Sequence, residues 1–184
     1  MIKYNLEEAK KIITECKFNR KEYVFKNFFE NNVTWNQILE EINIAWDYED
    51  VLPAQGIKKS NIHNHIHYGE RFDIIIEHTV EGTKIEQAQD FINATRYIYD
   101  RLDGHHLIFA NLINGADTLY HDDISDNFQW MCLGSSHWSI KDQDGEREYI
   151  LEAGDMIFIP SGVKHEVKPS IRASMNMNFN YFPN

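Results

Sequence analysis

The sequence predicts a mainly β fold with flanking helices, and three observations carry that reading. From His105 onward, short apolar runs alternate with turn signals, about eight strands over about 75 residues. No helical pattern falls between them, which speaks against a doubly wound parallel sheet and for a closed or sandwiched β architecture. The first half of the chain carries 3.6-residue apolar spacing instead. The 184 residues are 42% hydrophobic and include eleven Phe, nine Tyr and four Trp, enough to fill one core.

Taken in order, Leu6 to Ile13 has helix formers at helical spacing. Glu22 to Lys26 reads as a short strand. Thr34 is an N-cap with Gln37 completing a capping box, and Trp35, Ile38, Leu39, Ile42 and Trp46 line the face of the helix that follows. Phe72 to Val80 is a β-prone run around Ile75, and Thr83 to Leu102 presents Ile85, Ala88, Phe91, Ile92, Thr95 and Ile98 as one helical face. Strands are expected near 106–113, 117–121, 128–133, 136–140, 147–152, 155–160, 164–168 and 172–180. Residues 1–60 are therefore read as a mostly helical support packed on residues 61–184. The latter form the β part with an inserted helix near 84–102, one structural domain overall.

The formal charge of −11 discourages nucleic acid or an anionic membrane surface as partner, since both need a positive footprint. No apolar run approaches a bilayer span, and the amino terminus lacks the apolar core of a secretory signal. Cys16 and Cys132 make no disulfide framework, so a reducing cytoplasm is expected. The charge is uneven: residues 61–184 hold 19 acidic and 9 basic side chains and all nine histidines.

Two local patterns concentrate the chemistry. In the first, Gly115 to Asp123, His121 and Asp123 stand two apart. On a strand that spacing puts an imidazole and a carboxylate on the same side. In the second, Gly154 opens an apolar strand, and Pro160 and Gly162 shape a bend that delivers His165. Two imidazoles and one carboxylate make the facial triad suited to non-haem Fe(II), with three positions open. Zinc takes similar ligands, but no fitting general base stands nearby.

These residues carry a resemblance. Gly154, Pro160, Gly162 and His165 match the second cupin motif. Gly115 to Asp123 matches the first, with aspartate in place of its second histidine. That replacement resembles the JmjC-like, cupin-fold Fe(II)/2-oxoglutarate-dependent oxygenases. So does the stretch Thr118 to Trp138, and so does the ending Ala173 to Phe179. The resemblance covers residues 105–180 well and the earlier chain loosely. It implies a double-stranded β-helix (cupin, or jelly-roll) barrel. It also implies a hydroxylase or demethylase using Fe(II), 2-oxoglutarate and O2 on a small molecule or a peptide segment, with His121, Asp123 and His165 as metal ligands and catalytic centre.

One departure stands out. Two residues after Gly134 the family places a basic residue that pairs with the distal carboxylate of 2-oxoglutarate, and here that residue is Ser136. Arg172, which forms Arg-x-Ser with Ser174, is the replacement candidate, because a guanidinium offers a bidentate fork to a carboxylate. Thr118, Asn111 and Asn178 are further hydrogen-bonding candidates around the same ligand, and Tyr68, Arg71, Tyr120 and Trp130 are candidates for the substrate pocket. His63, His65 and His67 read as a polar strand face or an entrance loop. A Phe- and Tyr-rich helical surface leaves a homodimer open. The alternatives are a cupin dioxygenase or isomerase that does not use 2-oxoglutarate, and a non-catalytic ligand-binding module.

Overall fold

The structure is a computed structural model that describes residues 1–47, 51–53, 72–78, 85–113, 118–168 and 170–180. Among the described residues, three helices precede most of the strands. Helix α1 (Leu6–Asn19) starts where the Asn5 side chain accepts from the Glu7 and Glu8 N–H groups at 2.9 and 3.2 Å, which satisfies two otherwise orphaned donors. Helix α2 (Trp35–Asp47) is closed at its start by the expected box: Thr34 N–H donates to Gln37 Oε1 at 2.9 Å and Gln37 N–H to Thr34 Oγ1 at 3.4 Å. Helix α3 (Glu86–Tyr99) buries Ala88, Phe91, Ile92, Thr95 and Ile98 on one face, as its periodicity predicts. Among the described residues no helix is long and apolar enough to cross a membrane.

The strands are β1 (Tyr23–Phe25), β2 (Val51–Pro53), β3 (Phe72–His78), β4 (His105–Ile113), β5 (Thr118–His121), β6 (Ser125–Asp142), β7 (Gly145–Glu152), β8 (Met156–Ile159), β9 (Lys164–Val167) and β10 (Arg172–Asn180). One antiparallel ladder runs β1-β8-β6-β10-β4-β3-β2, and β6 also joins β7 and β9, with β5 on β9. This corrects the expectation of a double-stranded β-helix barrel. The path ends at β1 on one side and β2 on the other, and the sheet is neither closed into a barrel nor strongly curled. The mainly β composition with flanking helices stands. The physical reason lies at the edges. The short β1, drawn from the helical segment, caps β8, and β3 and β2 extend the ladder beyond β4, so the first and last strands do not meet.

A second correction concerns 128–133 and 136–140, which are one 18-residue strand, β6. Gly134 interrupts the pattern without ending the strand. It sits at φ +74°, and a Cβ there would lie 2.3 Å from the Ile171 carbonyl oxygen. The strand before it pairs with β8 and β10, and the strand after it with β7 and β9. A register shift in β10 between Ala173 and Ser174 absorbs the irregularity.

Strand alternation divides the interior in two. One face of β4, β6, β8 and β10 supplies Ile108, Ala110, Phe128, Trp130, Met156, Phe158, Met175 and Met177 to a core shared with α1 and α3. Phe29 and Phe91 close on Trp130 with ring centroids at 4.7 and 5.9 Å. Side chains from Ala9 to Ile42 therefore pack into the same core as the sheet. Full burial of each such side chain contributes about 1.5–3 kcal/mol. The opposite face is lined partly by amides and leads to the cavity described next.

Candidate metal centre

Strand β5 ends at His121, and the antiparallel register sets His121 directly opposite His165 on β9. Their rings lie 4.4 Å apart, centroid to centroid. Asp123 follows two residues later. His121 Nε2 is 3.8 Å from Asp123 Oδ1, and His165 Nε2 is 3.6 Å from Asp123 Oδ2. One donor atom from each of the three residues lies within 4.8 Å of the other two. Adjacent octahedral ligands with bonds of about 2.1 Å stand ~3 Å apart, so a small contraction closes the set on one ion.

The imidazoles are oriented by their own backbone. His121 Nδ1 lies 2.9 Å from the Leu119 carbonyl oxygen and His165 Nδ1 2.9 Å from that of Val163. A carbonyl oxygen can only accept, so each Nδ1 carries the proton and each Nε2 keeps its lone pair for the shared point. Burial holds His165 below its ordinary pKa, which favours the neutral form a metal requires. The Asn127 amide donates to Asp123 Oδ2, and the Gly162 N–H donates to the Asp123 carbonyl at 2.8 Å.

The triad opens into a cavity of about 220 Å³. Phe109, Ile157, Ile159 and Val167 supply its apolar wall, and Asn127, Gln129, Asn176 and Asn178 its amides. Arg172 lines it as well, 4% exposed, with Nη1 donating to the Lys168 carbonyl at 3.1 Å and to Ser170 Oγ at 2.9 Å. The cavity therefore has a carboxylate and two imidazoles in one part of its wall and a buried cation in another.

The other candidates fall as follows. Ser174 accepts from Gln129 Nε2 at 2.7 Å and so holds that amide in the wall. Asn178 lines the cavity, and Asn111 is the buried register partner of Arg172 on β4. Thr118 is placed by its backbone, opposite Val167. Ser136 is buried and occupied elsewhere: it accepts from Trp138 Nε1 at 2.7 Å and contacts Met131 Sδ at 3.2 Å. Two placements differ from expectation. Trp130 faces the helices by strand parity and is fully buried in their core, away from the cavity. Tyr120 is partly exposed and donates to Glu146 Oε1 at 2.6 Å outside the cavity. Tyr68, Arg71, His63, His65 and His67 lie outside the described residues.

Sequence reasoning passed over Gln129, Asn176 and Trp138. The signal for the first two was an alternation, Asn127 with Gln129 on β6 and Asn176 with Asn178 on β10, which puts amides on one face of each strand. Trp138 stacks on His165 at 5.7 Å and 27°, on an indole fixed by Ser136. Ser136→Ala is expected to cost about 1–2 kcal/mol, because it strips a buried N–H of its acceptor. Chemical denaturation followed by tryptophan emission measures this directly.

No protein-family model and no curated protein matches the chain. Solved structures do. The ribosomal oxygenase YcfD from Escherichia coli, in complex with cobalt and succinic acid, superposes with a TM-score of 0.69 at 16% identity, covering 100% of this chain and 53% of that one. The same protein with cobalt and 2-oxoglutarate gives 0.68 at 15%, with the same coverage. A Pseudomonas putida prolyl-4-hydroxylase gives 0.68 at 16%, covering 94% of this chain and 100% of that one. The chain thus spans about half the length of YcfD and the whole of the hydroxylase, and it shares the fold of both.

Proposed function

We propose that the protein is an Fe(II)- and 2-oxoglutarate-dependent oxygenase that hydroxylates or demethylates a small molecule or a peptide segment. The observation that carries this reading is one cavity lined both by a His, Asp, His triad and by a buried arginine. The donor set fits Fe(II): two neutral nitrogens and one carboxylate leave adjacent positions for a chelating keto acid and O2. The second group fits as well, since a dicarboxylate held at the triad by one end can present its other carboxylate to Arg172. Arg172 stands opposite Gly134 on β6, two residues from Ser136, which supports it as the replacement for the cation missing from that strand. The shared fold of two oxygenases, one of them solved with cobalt and 2-oxoglutarate, supports the same reading.

Bound together, Fe(II), 2-oxoglutarate and O2 supply the oxidant for C–H hydroxylation, with succinate and CO2 as products. The chain's own part is to bind and to exclude. His121, Asp123 and His165 hold the metal, Arg172 neutralises the distal carboxylate, and Ile157, Ile159, Phe109 and Val167 keep bulk water from the reacting centre. The proposal includes a reducing cytoplasmic setting, supported by the buried free thiols of Cys16 and Cys132. Exposed Phe18, Tyr97 and Leu102 support homodimerisation.

Anaerobic titration of the Fe(II)-loaded protein with 2-oxoglutarate, followed by visible absorption, tests the assignment. The expected result is a weak metal-to-ligand charge-transfer band that saturates at one equivalent. Iron binding without a band at saturating keto acid would point instead to a metalloenzyme that does not use 2-oxoglutarate.

A further inference from the structure

The three metal ligands come from two separate arms. His121 ends β5 and Asp123 leads on into β6, while His165 follows the Pro160–Val163 turn onto β9. The ladder between β5 and β9 is short, with two register pairs and an irregularity between them. His121 itself is about 43% exposed at its side chain, so packing alone holds that arm weakly.

A second connection joins the arms from behind. The Gly162 N–H donates to the Asp123 carbonyl at 2.8 Å, and the Ser161 N–H donates to Asp126 Oδ1 at 2.7 Å. The Val163 N–H closes the turn on the Pro160 carbonyl at 3.2 Å, and the Val163 carbonyl in turn orients His165 Nδ1. Asp126 lies three residues after Asp123, 4% exposed, on the helix-facing side of β6. Its other oxygen accepts from the Tyr99 phenol of α3 at 2.6 Å. Tyr99 is wedged in turn: it stacks on Phe179 at 4.2 Å and 15°, and the Lys17 ammonium of α1 sits 3.7 Å over its ring. Burial and the bond to Asp126 push the phenol above its usual pKa, so it stays a donor at neutral pH.

We infer that Asp126 is a positioning residue for the metal centre, the brace through which α3 fixes the His165 turn against the segment that carries Asp123. The inference rests on the proposed metal-binding function. Asp126 touches neither metal nor substrate, since its carboxylate points to the face of β6 opposite the cavity. It acts by setting the separation of Asp123 and His165. Groups that hydrogen-bond a metal ligand directly are worth about 10- to 100-fold in metal affinity, and Asp126, one bond further out, belongs at the lower end.

The test uses Co(II), whose d–d absorption reports ligand geometry independently of turnover, on wild type, Asp126→Ala and Asp126→Asn. Asp126→Ala is expected to raise the Co(II) dissociation constant about 10-fold or more and to alter the d–d spectrum. Asp126→Asn, whose amide oxygen can still accept from Ser161, is expected to stay within about threefold of wild type with its spectrum intact. An Asp126→Ala protein that melts earlier yet binds Co(II) with wild-type affinity and spectrum overturns the inference, because a purely structural residue behaves in that way. If Asp126→Ala does not fold, Tyr99→Phe decides. A dissociation constant raised about fivefold or more supports the brace, and one within about threefold of wild type overturns it. A wild type that binds no Co(II) overturns the metal-centre reading, and this inference with it.

Discussion

Arg172→Ala is expected to raise the dissociation constant for 2-oxoglutarate about 100-fold, ~2.7 kcal/mol, while Fe(II) affinity stays within a few-fold of wild type. The magnitude follows from burial. The residue is 4% exposed and lines a cavity with no other Lys or Arg among the described residues of its wall, so a bound carboxylate would lose that cationic partner while remaining desolvated. The selectivity follows from position. Arg172 pairs in register with Gly134 and Asn111, away from the His121–His165 pair, so the metal ligands keep their geometry. Arg172→Lys is expected to recover part of the loss, since it restores the charge without the planar fork. Anaerobic titration with 2-oxoglutarate of the Fe(II) forms of all three proteins gives the comparison.

Asp123→Ala is expected to abolish turnover and to weaken Fe(II) binding about 1,000-fold. Two neutral imidazoles would remain to hold a dication whose charge one carboxylate had offset. Asp123 is also the hub of the site: it stands 3.6–3.8 Å from both Nε2 atoms, accepts from Asn127 and is tied through its carbonyl to Gly162. His165→Ala is expected to be nearly as damaging to metal binding and worse for stability, because the ring it removes is buried and stacked on Trp138. His121→Ala, at an exposed position, is expected to spare stability. Equilibrium dialysis against Fe(II) under anaerobic conditions separates binding from folding when it is paired with thermal melts.

Local signals in the sequence were strong where the chemistry is local. The Thr34 and Gln37 box, the apolar stripe of α3, the His121 and Asp123 spacing and the Gly154 to His165 run all depend on residues close in the sequence, and each is visible without knowledge of the rest of the chain. Features that depend on distant pairing were not visible. Gly134 carries the same turn signal whether the strand stops or continues through a positive φ. Only the partners on either side, β10 before it and β7 after it, make β6 continuous. The open ladder likewise depends on β1, from the helical segment, pairing with β8 more than a hundred residues later.

Parity explains Trp130, one of the two pocket candidates that moved. Trp130 shares the face of Phe128, as alternation requires, but that face belongs to the helices, and nothing within β6 says which face looks toward a ligand. Arg172 posed the converse difficulty, because Pro169 in the sequence leaves the alternation that leads from His165 undetermined. Its place in the cavity wall comes from pairing with β4 and β6.

A crystal structure of the protein grown anaerobically with Mn(II) and 2-oxoglutarate tests whether the triad and Arg172 hold the two ends of one ligand. The expected result is one metal ion on His121 Nε2, Asp123 and His165 Nε2, chelated by the keto acid, with the distal carboxylate on the Arg172 guanidinium. A metal bound elsewhere, or a keto acid whose distal carboxylate avoids Arg172, would contradict it.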